Sequence, residues 1–169
     1  CLKNQSVFLN FNNPIKEFFF VIQKKENIDL GEIFNYSGKS NYLPIGTTTF
    51  TERLWEQIPH KHLLDKATFK LENNDRVSEK DYKYWHLVQN YEHYRNTLLH
   101  NIYMYSFGLS RNDNTGSCNF SEVDNVELSV SLINSSTEFI HYIDNDTVTI
   151  GPENNSIIKV YGINYNIFT

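Results

Sequence analysis

The chain has 169 residues, a formal net charge of −5 and an aromatic content of 15%. That length suits a single domain with a substantial core, and an acidic balance without a basic cluster argues against binding to a nucleic-acid backbone. No apolar run approaches the roughly 20 residues that a membrane-spanning helix needs. Two cysteines, Cys1 and Cys118, make a poor disulfide framework, which favours a reducing compartment. We expect the chain to be a piece of a longer protein because it begins without Met.

The first half of the chain alternates short apolar runs with polar turns. Residues Glu17–Gln23 are apolar on both faces, which is typical of a strand buried deep in a sandwich. Residues 24–49 contain several glycines and a proline, so we expect them to be mostly loop. The other elements expected here are a strand at Val7–Phe11, a turn at Asn12–Pro14, a short helix at Thr51–Ile58 and a strand at Ala67–Leu71.

Residues Ser78–Tyr91 give the strongest helical pattern. Ser78 followed by Asp81 resembles a capping box, with Asp in place of the usual Glu or Gln. One face of this helix carries apolar side chains at the spacing i, i+3, i+4 and i+7, namely Tyr84, Leu87, Val88 and Tyr91. This face packs either on the domain's own sheet or against a neighbouring subunit, since Tyr and Trp are enriched in subunit contacts. For a subunit contact, the candidate interface residues are Tyr84, Trp85, Tyr91 and Tyr94.

From residue 101 onward the pattern is strongly β. Apolar and polar residues alternate from Val126 to Leu132, with the period of two that marks a half-buried strand. Further strands are expected at Ile102–Leu109, Glu138–Ile143, Thr147–Ile150 and Ile157–Ile167. About seven or eight short strands with only one or two short helices between them predict an all-β fold, a two-sheet sandwich. The jelly roll is one such sandwich, and periodicity alone leaves an immunoglobulin-like topology open.

Five segments, taken in order, carry a family resemblance. The most specific is Tyr103–Asp124, where an aromatic strand passes through a Gly-containing turn into Asn-Phe-Ser. The others are Asn13–Gln23, Leu71–Arg76, Tyr84–Trp85 and Val160–Ile167. Together they resemble the C-terminal jelly roll of the major capsid proteins of nucleocytoplasmic large DNA viruses. The sequence departs from the family where Asn114 and Thr115 replace a Pro-Ser pair, and residues 26–68 match poorly.

The resemblance implies a structural protein of an icosahedral capsid, located in the virion and assembled in the host cytoplasm. Residues 1–169 would form one jelly-roll domain, the C-terminal half of a double-jelly-roll subunit. Three subunits would form a pseudo-hexagonal capsomer that contacts neighbouring capsomers and minor capsid proteins, with no nucleic acid bound and no membrane insertion. The family-motif residues are Tyr105, Phe107, Gly116, Asn119, Phe120, Ser121, Asn164, Tyr165 and Asn166. No catalytic residue, cofactor or metal is implied, so we expect no enzymatic activity.

Two other functions remain open on the residues alone. A carbohydrate-binding jelly roll for host attachment would use exposed aromatic rings, with candidates at Tyr36, Tyr42, Trp55 and Tyr94. A cupin-like metal enzyme would use His60 and His62, because alternate residues of a strand point to one face and two imidazoles could share an ion. The metal hypothesis lacks the downstream Glu of cupins, so solvated loop histidines are favoured. The histidines at 93, 100 and 141 are expected at the surface or in capsomer contacts.

Overall fold

The computed structural model describes residues 4–38, 62–96, 98, 101–109, 116–133, 140–143, 146–149 and 156–164. The strands are β1 (Asn4–Phe8), β2 (Pro14–Lys24), β3 (Leu64–Leu71), β4 (Asn74–Asp81), β5 (Ile102–Ser106), β6 (Cys118–Asn119), β7 (Val126–Leu132), β8 (Ile140–Ile143), β9 (Asp146–Thr149) and β10 (Ser156–Asn164). The helical elements are α1 (Lys25–Asp29), a π-helical turn (Tyr84–Val88), α2 (Gln89–Tyr94) and a 3-10 turn (Phe120–Glu122). No helix in these ranges is long and apolar enough to cross a membrane.

Eight of the strands form two facing antiparallel sheets. The first sheet has the order β1-β7-β3-β4, and the second has the order β10-β2-β5, with β6 paired to the start of β2. Strands β8 and β9 form a separate hairpin. Arg76 Nε on β4 donates to the Tyr105 hydroxyl on β5 at 3.2 Å, so these two edge strands lie on the same side of the sandwich. The predicted all-β sandwich is confirmed.

The core between the sheets is built largely from aromatic rings. Phe18 on β2 contacts Phe69 on β3, with ring centroids 5.0 Å apart, and Phe20 stacks on Tyr103 of β5 at 5.1 Å. From the first sheet, β7 contributes every second residue to this core, namely Val126, Leu128, Val130 and Leu132. The alternation predicted for this strand is confirmed, because one face of β7 meets the core and the other does not.

A third layer covers the outer face of β2. The outward side chains of Glu17, Val21 and Gln23 are all buried. Gln23 Nε2 donates to the Ile33 carbonyl at 2.8 Å, and the Tyr94 hydroxyl donates to the Glu17 carboxylate. We call this cover, residues 25–38 and 82–96, the helical layer. It explains why β2 is apolar on both faces, as the sequence predicted.

The prediction of one helix over Ser78–Tyr91 is wrong in its first part. Residues 74–81 form β4, an edge strand in which only Val77 is buried, so its sequence lacks the apolar alternation that would have marked a strand. Asp81 does serve the helix start, since its Oδ1 accepts from the Tyr84 backbone N–H at 3.2 Å. The helical segment therefore begins after this aspartate.

Of the two packings predicted for the apolar face of this segment, packing on the domain's own sheet is wrong for three of its four residues. The side chains that pack inward are Trp85, His86, Gln89 and Asn90. Leu87, Val88 and Tyr91 point outward and are 41%, 42% and 68% exposed. A π-helical turn makes i→i+5 hydrogen bonds and inserts an extra residue, which rotates the following side chains away from the face that a 3.6-residue period predicts.

Most other strand predictions are confirmed with shifted ends. β1 begins and ends three residues earlier than expected, β2 begins at Pro14, β3 begins at Leu64, and α1 lies inside the expected loop. The expected strand at Ile102–Leu109 ends at Ser106, and the hairpin strands β8 and β9 lie within a residue or two of their predictions. The helix expected at Thr51–Ile58 lies outside the described residues.

We expect Phe69→Ala to destabilise the domain by about 3–5 kcal/mol, because it leaves a cavity among packed rings. Phe69 is fully buried, whereas Phe8 is 62% exposed, so Phe8→Ala is the matched control and should cost far less. Urea denaturation followed by tryptophan fluorescence measures both free energies of unfolding. Equal losses for the two variants would contradict the placement of Phe69 at the centre of the core.

Candidate functional site

The first half of the family motif forms part of the core. Tyr105 is buried, and its ring lies 5.7 Å from that of Phe18 and 5.1 Å from that of Phe107. The Phe107 backbone N–H donates to the Lys16 carbonyl at 2.9 Å, which extends the contact between β5 and β2 beyond the end of the ladder. These aromatic residues are therefore packing residues that hold the C-terminal end of β5 against the rest of the sandwich.

Gly116 is required for a steric reason rather than for its backbone dihedrals. Its φ does not lie in the left-handed region. A Cβ at position 116 would lie 2.6 Å from the Phe107 carbonyl oxygen and in direct collision with the Gly108 backbone. The motif therefore brings two backbone segments, at 107–108 and at 116, closer together than any side chain allows.

The Asn-Phe-Ser part of the motif ties three segments together. Asn119 Oδ1 accepts from the Ser121 backbone N–H at 3.2 Å and caps the 3-10 turn, as Asn does at helix starts. The Phe120 ring is buried and lies 5.6 Å from the Phe11 ring. Ser121 Oγ donates to the Asn12 carbonyl at 2.6 Å, which fixes the loop that leads into β2.

The last motif segment reaches the same end of the sandwich. Asn164 pairs with Ile15 after a bulge in the β10–β2 ladder. At Gly162 an added Cβ would lie 2.9 Å from Ile15 Cδ1 and 3.3 Å from the Phe11 ring, so β10 passes close to the other motif contacts. Tyr165 and Asn166 lie outside the described residues. The described motif residues thus build one end of the sandwich.

The four predicted interface residues differ in their accessibility. Trp85 is fully buried, its ring 5.7 Å from that of Phe20 and its Nε1 donating to the Lys80 carbonyl at 3.3 Å. Its assignment as an interface residue is corrected, since a core ring is not offered to a neighbour. Tyr84 is partly buried, and burial raises the pKa of its phenol. Tyr94 is held by Glu17, whereas Tyr91 is largely exposed.

Tyr91 has two apolar neighbours on the exposed side of the helical layer, Leu87 and Val88, which the sequence placed either on the domain's own sheet or in a subunit contact. Leu87, Val88 and Tyr91 together form the outer helix face. Adjacent exposed apolar side chains of this kind mark contact sites more often than isolated ones do. A helical wheel placed these residues together correctly but could not indicate which way they point, because the π-helical turn is not visible in the pattern.

A buried acidic residue lies beneath the helical layer, and sequence reasoning missed it. Glu17 is 5% exposed and accepts the hydrogen bond of the Tyr94 hydroxyl through Oε1, while Oε2 has no partner within the described residues. The only sequence signal for Glu17 was a charged residue inside an apolar strand.

His93 lies near this carboxylate. The acidic groups Glu92 and Glu17 favour protonation of its imidazole, but burial outweighs them and lowers the pKa of the imidazole.

His62 makes packing contacts rather than standing free in a loop. Its ring stacks on Tyr82 with centroids 4.1 Å apart, and its Nδ1 lies 3.1 Å from the Tyr103 hydroxyl. His60 lies outside the described residues, as do His100 and the side chain of His141. Within the described ranges, no three His, Cys, Asp or Glu side chains are grouped so that they could hold a metal ion.

Within the described residues, the aromatic side chains considered for carbohydrate binding do not form a flat exposed surface. Burial raises the pKa of Tyr36, which is only partly accessible, and Tyr94 is engaged with Glu17. Tyr42 and Trp55 lie outside the described residues. The carbohydrate-binding alternative is therefore not favoured by the residues that the structure places.

The two antiparallel sheets, closed at one end by this turn motif, place the chain in the class of jelly-roll proteins. Comparison with protein families identifies the family within that class. The profile described as "Large eukaryotic DNA virus major capsid protein" matches residues 2–169, and the chain belongs to this family.

Individual relatives agree with this assignment. The chain is 34% identical over 103 residues to a major capsid protein of Chrysochromulina ericina virus, which covers 60% of this chain and 15% of that protein. It is 26% identical over 179 residues to the major capsid protein of Paramecium bursaria Chlorella virus 1, covering 97% and 40% of the two chains. The chain thus spans less than half the length of these relatives.

Solved structures show the same fold. A crystal structure of VP54 from Paramecium bursaria Chlorella virus 1, fitted into a reconstruction of the virophage Sputnik, aligns with a TM-score of 0.62 and 24% identity. The alignment covers 96% of this chain and 42% of that one. The Faustovirus major capsid protein aligns with a TM-score of 0.55 and 10% identity over 77% of this chain and 28% of that one. These neighbours establish the jelly-roll fold for this chain.

Gly116→Ala should destabilise the domain by about 1–3 kcal/mol, because the new methyl group forces two backbone segments apart. Ser117→Ala is the matched control, since Ser117 is adjacent and exposed. Chemical denaturation of both variants and the parent chain gives the comparison. A Gly116→Ala variant as stable as the parent would contradict the close approach of residues 107–108 and 116.

The lowered pKa of His93 predicts a loss of stability in mild acid. The unfolded chain takes up a proton near the ordinary pKa of 6.5 while the folded chain resists it, so stability should fall as the pH drops below 6.5 towards the folded pKa. His93→Gln removes this proton uptake and should flatten the free energy of unfolding between pH 7.5 and about 5.5. Parallel curves for the parent and the variant would show that His93 titrates equally in both states.

Proposed function

We propose that this protein is a structural subunit of the icosahedral capsid of a large DNA virus. The observation that carries the proposal is the match of the capsid family to residues 2–169, on a chain with the jelly-roll fold. The motif residues support it, because those that are described serve packing at one end of the sandwich rather than reaction chemistry. The protein would therefore act through its surfaces, as a component of the virion assembled in the host cytoplasm and without enzymatic activity.

The chain would be the C-terminal jelly roll of a subunit with two jelly rolls in tandem. The Chlorella virus relative is long enough for this, since the chain spans 40% of its length. A remaining length of that size suits a second domain. Three such subunits would then form a pseudo-hexagonal capsomer that contacts other capsomers and minor capsid proteins.

The outer helix face is the best-supported contact with a sibling subunit in that trimer. Leu87, Val88 and Tyr91 are all more than two-fifths exposed and follow one another on one side of the helical layer. Burial of such a patch stabilises association by about 25 cal/mol per Å² of apolar surface. A closed ring of three identical subunits repeats the contact three times, so the free energy gained at each copy of the contact adds to the stability of the trimer. Tyr84 and Tyr94 flank this face and would contribute through their accessible edges.

The charge of the chain agrees with a role in the shell. The net charge is −5, and the sequence contains no run of Lys or Arg longer than Lys24-Lys25. Binding to a phosphate backbone depends on clustered Lys and Arg. The subunit would thus contact other proteins rather than the packaged DNA or a membrane.

Replacing the outer helix face should weaken the trimer of the full-length subunit. We expect the double variant Leu87→Ser with Tyr91→Ser to raise the trimer dissociation constant at least about tenfold, because about 1.4 kcal/mol of lost contact energy corresponds to that factor. Light scattering coupled to size-exclusion chromatography over a concentration series measures the effect.

The control for this experiment is Asp75→Ala, at the opposite end of β4 from the helical layer and exposed. It should leave the trimer unchanged. The free energy of unfolding of each variant shows whether the domain itself is intact. A double variant that folds normally and trimerises like the parent would remove the outer helix face from the interface, while a parent that never trimerises would contradict the capsomer proposal itself.

A further inference from the structure

The helix α2 is attached to the sandwich largely through polar side chains. Its six residues, QNYEHY, include no aliphatic side chain, and the two that are buried are Gln89 and Asn90. Gln89 Oε1 accepts from the Ser106 backbone N–H of β5 at 3.3 Å, and the Tyr94 hydroxyl donates to the Glu17 carboxylate of β2. The attachment of α2 therefore depends on hydrogen bonds and charge more than on the burial of apolar surface.

The π-helical turn before α2 is attached in a different way. Trp85 lies in the aromatic core with its ring 5.7 Å from that of Phe20, and His86 Nδ1 lies 2.8 Å from the Ile102 carbonyl oxygen. This turn can therefore stay in place while α2 separates from β2, because no core ring has to move. A helix of six residues is not stable by itself in water, so α2 should unfold once it leaves the sheet.

Buried polar atoms without partners lie where α2 meets the sandwich. Within the described residues, Glu17 Oε2, Asn90 Oδ1 and His93 Nδ1 are buried and make no hydrogen bond. The charged groups that act on the His93 imidazole are Glu92 of its own helix and Glu17 of β2, while β5 brings the uncharged Ser106 opposite Glu17. Burial outweighs both carboxylates and lowers the pKa of the imidazole, so the attached helix favours a neutral His93.

We propose that Glu17, His93 and Tyr94 form an acid-sensitive contact, which holds α2 on β2 at neutral pH and releases it when His93 gains a proton. The charged imidazole needs water, and water reaches its buried Nδ1 when α2 separates from the sheet. The same opening would hydrate the Glu17 carboxylate. The aromatic core and both sheets would stay folded. This property belongs to the domain itself and does not require the capsid trimer.

The direction of the effect follows from the balance of burial and charge at His93. An imidazolium paired with Glu17 would tighten the contact in acid, but burial has the larger effect on this imidazole and favours its neutral form. The attached state is therefore fully favoured above the ordinary pKa of 6.5 and loses stability as the pH falls below it. One pH unit below that value, the equilibrium shifts towards the open state by at most about tenfold.

Amide hydrogen exchange on the full-length protein tests the proposal, with mass spectrometry of peptides that cover residues 89–96. We expect the protection factor of α2 to fall by about threefold to tenfold from pH 7.5 to about 5.5, after correction for the intrinsic pH dependence of exchange. Low concentrations of urea should leave this protection nearly unchanged, because a local opening exposes little surface. Amides of β7 should be better protected and should respond to urea, since they exchange through global unfolding.

Three variants separate the proton from the hydrogen bond. His93→Gln keeps a neutral polar side chain and should abolish the pH dependence of α2 protection. Tyr94→Phe removes the hydroxyl that donates to Glu17, so it should lower α2 protection already at pH 7.5 while the pH dependence remains. Tyr91→Phe is the matched control, because it removes a hydroxyl from an exposed ring of the same helix. It should behave like the parent chain.

Three results would overturn the proposal. Protection of α2 that stays constant or rises as the pH falls would show that the imidazolium is accommodated beside Glu17 without opening. Protection of α2 with the same urea dependence as β7 would show that the helix leaves the sheet only when the whole domain unfolds. A pH dependence that persists in His93→Gln would assign the proton to another group.

Discussion

The burial of β2 on both faces is the constraint on which the rest of the structure depends. On its inner face, Phe18 and Phe20 meet the rings of β3 and β5. On its outer face, Val21 and its neighbours are covered by the helical layer. A strand of this kind cannot lie at the surface of a two-layer sandwich without exposing half of its apolar side chains. The helical layer is thus a structural necessity, and the protein has three layers instead of two.

The contact between β2 and its outer cover is polar, which limits how the cover can be placed. Gln23 donates to the Ile33 carbonyl and accepts from Lys159, and Glu17 accepts from Tyr94. Buried polar groups of this kind cost free energy unless their partners are correctly placed. They therefore fix the position of the helical layer along β2 in a way that apolar packing alone does not.

The sequence predicted the strands that alternate clearly or are buried on both faces, β7 and β2, and the order of the motif segments. Prediction from the sequence failed where a residue's position depends on contacts with residues distant in the chain or on an irregular helical turn. β4 is polar because it is an edge strand, so its residues 78–81 were assigned to the following helix. The π-helical turn reversed the sides of Trp85 and Tyr91, since a period of 3.6 residues assumes unbroken α-helix. The role of Gly116 also escaped prediction, because it depends on the approach of residues 107–108 rather than on local dihedrals.

The polarity of β4 has a consequence beyond its own sheet. Its edge presents Asp75, Arg76, Glu79, Lys80 and Asp81, with Lys66 and Glu79 paired across β3 and β4 at 2.8 Å. Charged edges resist the edge-to-edge stacking by which sheets polymerise into fibrils. Such protection is needed most where many copies of one chain are concentrated together. The charged edge therefore disfavours pairing of β4 with a strand from another copy of this chain.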